Sequence, residues 1–332
     1  MMEQLIKKLL NDFQRNFPLE PAPFAQIAQR LNTSPETVLK TLKELQDKGA
    51  VSRVGPVFRP NTVGASTLAA MAVPADKLET AAAIITEFPQ VNHNYEREHH
   101  YNLWFVVTAE NTAALTETLR QIQLETGYRV LSLPLVKDYH IDLGFRMNLD
   151  RGTELSQIST HDAESGTHAS RELLFGAAED LIEVIQAGLP LVTRPYREIA
   201  DRLGCSEQAV IDKLRGMIDA GIIKRLGVVV RHHELGYRAN AMVVWDVPDD
   251  RIDQLGRQLG KQDCVTLCYQ RPRRLPDWSY NLFCMVHGYD RNEVLACIDR
   301  MVEGLGLDAI PHTVLFSGKR FKQRGARYRG IH

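Results

Sequence analysis

The sequence carries no surplus of charge. Forty Lys and Arg stand against 41 Asp and Glu, a formal net charge of −1, so no global field draws the chain onto nucleic acid. It contains no apolar run long enough to cross a bilayer. Its start, Met1-Met2-Glu3-Gln4, lacks the basic and apolar regions of a signal peptide. Cysteine is scarce and unpatterned: Cys205, Cys264, Cys268, Cys284 and Cys297 all lie in the second half, and none forms a C-x-x-C pair. That speaks against a disulfide framework, a zinc ribbon and an iron–sulfur site. A reducing, cytoplasmic setting is the expectation. What remains is ordinary: 332 residues, 44% hydrophobic and 24% charged, enough for about two to four soluble domains.

The chain contains one module twice. Pro23-Phe24-x-x-Ile27-Ala28-x-x-Leu31 returns as Pro195-Tyr196-x-x-Ile199-Ala200-x-x-Leu203, an offset of 172. Val38, Leu42, Gly49, Arg53, Gly55, Arg59 and Gly64 recur at that offset as Val210, Leu214, Gly221, Arg225, Gly227, Arg231 and Gly236. After a register shift, Tyr101-Asn102-Leu103-Trp104 matches Tyr280-Asn281-Leu282-Phe283. A fused, diverged duplicate predicts a pseudo-dimer whose two related surfaces can differ.

Each copy divides in two. Leu5, Ile6, Leu9, Leu10 and Phe13 recur at helical spacing over residues 3–16. Phe24 to Leu31 reads as a second helix. A third begins at the cap Ser34, with Pro35 at its first position, and ends at Gly49. Val51 to Phe58 reads as a β-wing, which completes a winged helix-turn-helix. Strand Thr67–Val73, helix Asp76–Phe88, strands Val91–Tyr95 and Tyr101–Thr108, helix Thr112–Thr126 and strand Arg129–Val136 then follow in the βαββαβ order of a ferredoxin-like domain. The second copy repeats that order, with a final strand over Ala309–Leu315. The fold class is therefore α+β, a pseudo-twofold tandem repeat. Expected boundaries are 1–60 and 171–232 for the winged helices, 61–147 and 233–332 for the ferredoxin-like domains, and 148–170 for a polar linker. His161 and His168 lie in that linker and read as solvated.

A winged helix followed by a ferredoxin-like domain resembles the leucine-responsive/AsnC-type transcription regulators. Longer motifs point elsewhere. The stretch His93-Asn94-Tyr95-Glu96-Arg97-Glu98-His99-His100-Tyr101-Asn102-Leu103-Trp104-Phe105 resembles the small subunits of sirohaem decarboxylase. So does Leu267-Cys268-Tyr269-Gln270-Arg271-Pro272-Arg273-Arg274-Leu275-Pro276-Asp277-Trp278 and the run that follows it. Arg225 to His233 and Ala239 to Pro248 are similar to the same subunits. The likeness covers nearly the whole chain outside the linker. Its first half is similar to the His-Asn-Tyr subunit type and its second to the Arg-Pro-Arg-Arg type. The resemblance implies removal of the C12 and C18 acetate carboxyls of sirohaem as carbon dioxide, in the fused form that serves d-type haem synthesis. It implies no cofactor beyond the iron that the substrate carries, and no metal of the protein's own.

That chemistry needs cations for carboxylates and proton donors for the ring. Arginine suits the first because its planar fork pairs a carboxylate bidentately. Arg97 and Arg271 align across the repeats, each two residues after an aligned tyrosine, Tyr95 and Tyr269. Arg59 and Arg231 also align, while Arg273 and Arg274 fall in an insertion of the second copy. A lone arginine reads as a solvated or ion-paired surface residue; the repeated Tyr-x-Arg favours function. Histidine suits the second need because its pKa lies near neutrality. His93, His99 and His140 are the candidate proton donors or axial iron ligands, with Tyr95 and Tyr269 beside them. His100 is expected on the opposite strand face from His99. His140 aligns with Lys322, a candidate carboxylate contact within the basic run Lys319 to Arg329. That run otherwise reads as a solvated tail.

Three rivals remain. A regulator needs a basic recognition helix, yet Pro35–Lys48 balances Lys40, Lys43 and Lys48 against Glu36, Glu44 and Asp47, and Glu207–Ala220 is no more cationic. Arg53 and Arg225 in the wings are its best phosphate contacts. A haem-binding sensor without catalysis would share the same pocket. An amino-acid sensor would not need so many arginines. The expected partners are sirohaem and a second fused chain, without nucleic acid or membrane.

Overall fold

The computed structural model describes residues 2–60, 62–141, 177–230 and 239–328. The expected linker, His161, His168, Arg231, His232 and His233 lie outside them. The chain forms two compact units, and each unit takes one part from both repeats. Elements are numbered here in chain order.

The first unit holds both helix-turn-helix copies. In the first repeat these are α1 (Met2–Asp12), α2 (Pro23–Arg30) and α3 (Pro35–Asp47). In the second they are α6 (Ala177–Ile185), α7 (Pro195–Leu203) and α8 (Glu207–Asp219). The Ser34 cap sits where the sequence puts it, its hydroxyl accepting from the Thr37 N–H, and the structure adds Ser206 in the second copy, which accepts from the Ala209 N–H, each at 3.2 Å. Phe24, Ile27 and Leu42 share one core with Tyr196, Ile199 and Leu214. Each such side chain contributes roughly 1.5–3 kcal/mol on burial.

The wings differ from the expectation. Each repeat supplies one strand, β1 (Val51–Phe58) and β7 (Ile223–Val230), and the two pair antiparallel with Gly55 opposite Gly227. Neither is a self-contained hairpin. The glycines permit close crossings: a Cβ on Gly227 would collide with the carbonyls of Phe13 and Gln14, and one on Gly55 with the Cα of Gly188. Arg225 is buried and donates to the Gln14 carbonyl at 2.6 Å, so it is a backbone brace and not a phosphate contact.

The second unit is a nine-stranded sheet built from both ferredoxin-like copies. The first copy gives β2 (Ala65–Met71), α4 (Leu78–Glu87), β3 (Val91–Arg97), β4 (Leu103–Ala109), α5 (Thr112–Thr126) and β5 (Leu131–Pro134). The second gives β8 (Ala239–Trp245), α9 (Ile252–Leu259), β9 (Val265–Gln270), β10 (Leu282–Gly288), α10 (Arg291–Leu305) and the start of β11 (His312–Gln323). Two segments extend the expected fold. After β5 the chain forms β6 (Lys137–Ile141), which pairs with β9 of the other repeat. After Phe316, β11 continues and pairs with β3 of the first repeat. The strand order is β5-β2-β4-β3-β11-β8-β10-β9-β6. Its edge strands, β5 and β6, are consecutive in the chain, so the sheet must curl until its ends meet.

Each repeat's helices cover one sheet face, over Phe105 and Val107 in the first copy and Val243 and Cys284 in the second. The helix-free face is shared: Ala70, Trp104, Leu131 and Leu133 pack with Met242, Val244, Phe283, Leu315 and Trp278. Cys264 and Cys297 are joined by a disulfide within the second copy, a single staple where no disulfide framework was expected. Cys268 and Cys284 are buried thiols with sulfurs 3.6 Å apart.

Candidate functional site on the shared sheet face

Antiparallel partners point to the same side of a sheet, so the register assigns faces. Tyr95 opposes Trp104, which opposes Ala70; His93 opposes Val106, which opposes Leu68. Both therefore lie on the helix-free face, as does Arg97 two residues on. Tyr269 opposes Phe283 and then Val244, which puts Tyr269 and Arg271 on the same face from the second copy. The His93 and Tyr95 rings stack with centroids 6.1 Å apart.

Arg97 and Arg271 are bound in matched ways. Arg97 donates to the Leu315 carbonyl and the Ser317 hydroxyl, both at 3.0 Å, and approaches the Met285 sulfur. Arg271 donates to the carbonyl of Leu133, the residue that stands in β5 where Leu315 stands in β11, and lies over the Tyr269 ring. Each guanidinium thus crosses to the opposite repeat. Arg97 is only 8% exposed. Among the described residues no carboxylate pairs with either, and both Nε atoms are buried without a partner. Burial pulls each guanidinium down to about 10, still cationic at neutral pH. The Tyr269 hydroxyl is raised by burial, opposed by Arg271. Two cations depressed by burial, with no counter-ion among the described residues, make a site that favours carboxylates.

His99 does not lie on a strand. β3 ends at Arg97, and His99 and His100 occupy the turn before β4, so the expected alternation of faces does not apply. The half-buried His99 ring meets Trp278 edge-on at 5.6 Å and stacks on Tyr101. Its Nδ1 accepts from the Tyr101 N–H at 3.0 Å, which leaves the proton to Nε2 in the neutral ring. Burial, then the neighbouring His100, lowers its pKa. Trp278 is buried against Trp104, Tyr101, Tyr280 and Phe283. The insertion of the second copy thus reaches into the aromatic cluster of the first.

Other expected contacts lie elsewhere. Arg273 spends its fork on Asp246 and Asp249, and exposed Arg274 donates to the Ser132 carbonyl. Arg59 belongs to the helix-turn-helix unit. His140 and Lys322 are equivalent, as the alignment expects: His140 opposes Cys268, and Lys322 opposes Asn94. Both Cys268 and Asn94 face helices, since the Asn94 amide donates to the Ala82 carbonyl in α4 and the Cys268 thiol to that of Gly256 in α9. The Lys322 ammonium donates to the Thr86 and Phe88 carbonyls at the end of α4, where carbonyls lack helical donors. Burial lowers its pKa to about 8.

The exchanged strands bring residues that pattern reading overlooked. A bulge in each sends two successive side chains to the helix side, Tyr139 with His140 and Phe321 with Lys322. The residue before each bulge, Asp138 or Arg320, opposes Tyr269 or Tyr95. Lysines before them anchor the strands alike: Lys137 pairs with Asp253 at 2.8 Å and Lys319 with Glu79 at 2.7 Å.

Comparison with known proteins gives the same architecture. The family model described as AsnC-like ligand binding domain matches residues 63–140 and 234–322. The one described as siroheme decarboxylase NirDL-like HTH domain matches 7–51 and 179–224. The siroheme decarboxylase NirDL subunit of Paracoccus denitrificans is 43% identical, over 98% of this chain and 97% of its own. A shorter relative, the siroheme decarboxylase NirL subunit of Stutzerimonas stutzeri, is 47% identical over 46% of this chain and 89% of its own. The crystal structure of the siroheme decarboxylase NirDL in complex with an iron-uroporphyrin III analogue superposes with a TM-score of 0.68 at 27% identity, covering 98% of this chain and 94% of that one.

Proposed function

The chain belongs to the sirohaem decarboxylase family, and we propose that it removes the C12 and C18 acetate carboxyls of sirohaem at the helix-free face that carries His93, Tyr95, Arg97, Tyr269 and Arg271. The protein is a carboxy-lyase, and the transcription-regulator reading is not favoured. The observation that carries the site is the matched pair of guanidiniums, Arg97 buried and Arg271 half-buried, each with a buried Nε and without a carboxylate partner among the described residues.

Each event exchanges one acetate for one methyl. The carbon–carbon bond to the carboxylate breaks, carbon dioxide leaves, and its bonding pair passes into the pyrrole. One proton then reaches the exocyclic carbon. No electron is gained or lost overall, so no redox cofactor is required, and the iron enters with the substrate. Arg97 and Arg271 hold carboxylates, and their fixed forks orient the macrocycle. Placing the carboxylate on a cation also stabilises the ground state, so the gain in rate must come from a proton placed on the pyrrole before the bond breaks, which makes the ring an electron sink and leaves again once the exocyclic carbon has taken up its own. His93 supplies it, with the stacked Tyr95 ring fixing its plane. His99, held neutral in its aromatic pocket, lines the site. His140 and Lys322 have a supporting role at the helix side of the strands. Arg274, at the edge, remains a candidate contact for a peripheral carboxylate. Arg273, already paired, serves by shaping the inserted loop.

We place the protein in the cytoplasm, on the route to a d-type haem. The helix-free sheet faces of the two repeats already meet within one chain, so the proposed dimer of fused chains must use another surface; light scattering tests it. Anaerobic incubation with sirohaem followed by mass spectrometry tests the activity. Loss of two carboxyl groups is expected. An unchanged mass with a shifted absorption spectrum would show a binder and overturn the enzyme reading.

A further inference from the structure

The two equivalent halves of the shared face keep Tyr-x-Arg and differ beside it. Ahead of that motif, β3 presents His93 where β9 presents Leu267. The neighbouring strand differs as well. Gln323 opposes His93, whereas the isoleucine at 141 opposes Leu267. Arg320 opposes Tyr95, whereas Asp138 opposes Tyr269. One half therefore combines an imidazole, a polar residue opposite it and an exposed added cation, Arg320, which donates to the Gln323 amide oxygen at 3.0 Å. The other combines the apolar Leu267 and a half-buried carboxylate.

We propose that the two halves are not equivalent sites: decarboxylation occurs at the half formed by β3 and the end of β11, and the charge inversion between Arg320 and Asp138 sets that choice. This rests on the sirohaem reading given above. A polycarboxylate gains an extra charge-assisted contact beside Arg320 and meets like charge beside Asp138, and discrimination between two near-identical surfaces needs such a repulsive element. Leu267 has no proton to give, so carboxylates that lodge in the second half are held there and not cleaved. Arg320 is thus a binding residue and Asp138 a specificity residue.

The test is an anaerobic absorbance titration of the full chain with iron uroporphyrin III, paired with sirohaem turnover followed by mass spectrometry. One tetrapyrrole per wild-type chain is expected. Arg320→Asp should weaken binding at least tenfold, and Arg320→Lys should recover most of it. Asp138→Arg should add a second binding equivalent while the first stays intact. Two equal sites on the wild-type chain would overturn the proposal. So would Arg320→Asp binding within twofold of wild type with an unchanged melting temperature, or a single equivalent in a folded Asp138→Arg chain. Should Arg320→Asp fail to fold, the Asp138→Arg titration decides alone. A wild-type chain that binds but releases no carbon dioxide refutes the enzyme reading, while the stoichiometry still decides between one surface and two.

Discussion

Replacing Arg97 by Met removes the charge and keeps most of the side-chain volume, so it separates a residue held for binding from one held for folding. Burial lowers the guanidinium from 12.5 to about 10. At about 1.36 kcal/mol per pKa unit, that depression corresponds to about 3 kcal/mol by which the charged form disfavours the folded state. The folded pKa is the lower one, so this penalty is fully present below about pH 10 and is relieved only as pH rises toward 12.5. Against its removal stand the hydrogen bonds to Leu315 and Ser317, together roughly 2–4 kcal/mol. The two terms nearly cancel. The melting temperature should stay within about 4 °C of wild type, given roughly 2–4 °C per kcal/mol for a unit of this size. Binding has no such compensation. Losing one arm of a desolvated carboxylate pair costs roughly 2–4 kcal/mol, or about 30- to 1,000-fold in Kd. The assays are anaerobic titration with iron uroporphyrin III and differential scanning calorimetry. A melting temperature more than about 10 °C lower with unchanged Kd would show that Arg97 only braces the strands, and the binding role would be withdrawn.

Further outcomes follow from the same geometry. His93→Gln should lower turnover by roughly 100-fold or more while leaving tetrapyrrole affinity within a few-fold, and normal single-turnover kinetics would exclude it as the proton donor. Lys322→Met should lower stability by about 1–2 kcal/mol because two carbonyls at the end of α4 lose their donor, with turnover little changed; a large loss of affinity would instead return Lys322 to the substrate. The folded pKa of His99 lies below its ordinary value, so protonating it should destabilise the fold as pH falls below about 6.5. Melting curves of His99→Gln should then decline less steeply than wild type across that range. Trp278→Ala should cost roughly 3–5 kcal/mol through the cavity left in the aromatic cluster, seen as an earlier urea midpoint.

What the sequence made legible was whatever short-range pattern encodes. The duplicated Pro-aromatic helix, the cap Ser34 and the βαββαβ order all rest on neighbours within a few residues. The aligned tyrosines and arginines fall on one face because period-two alternation carries through β3 and β9. The failures are where that alternation stops. The bulges at Tyr139–His140 and Phe321–Lys322 turn the aligned His140 and Lys322 toward the helices, and charged residues along β11 made a paired strand look like a solvated tail. The partners of Arg273, Asp246 and Asp249, come from another loop, a distance that local pattern does not encode. The exchange of wing strands was invisible for the same reason.

The reciprocal exchange of β6 and the end of β11 also bears on how a gene of this kind can be divided. Each repeat lends an edge strand to the other's sheet, so backbone hydrogen bonds, and not the peptide joining the repeats, hold the sheet together. Covalent fusion raises the local concentration of one half around the other and fixes their ratio at one to one. Cutting the chain between the repeats should therefore leave a nicked protein that migrates intact and comes apart only in denaturant. Two separately encoded single-repeat subunits could assemble the same sheet, each folding to completion only once its counterpart supplies the missing edge.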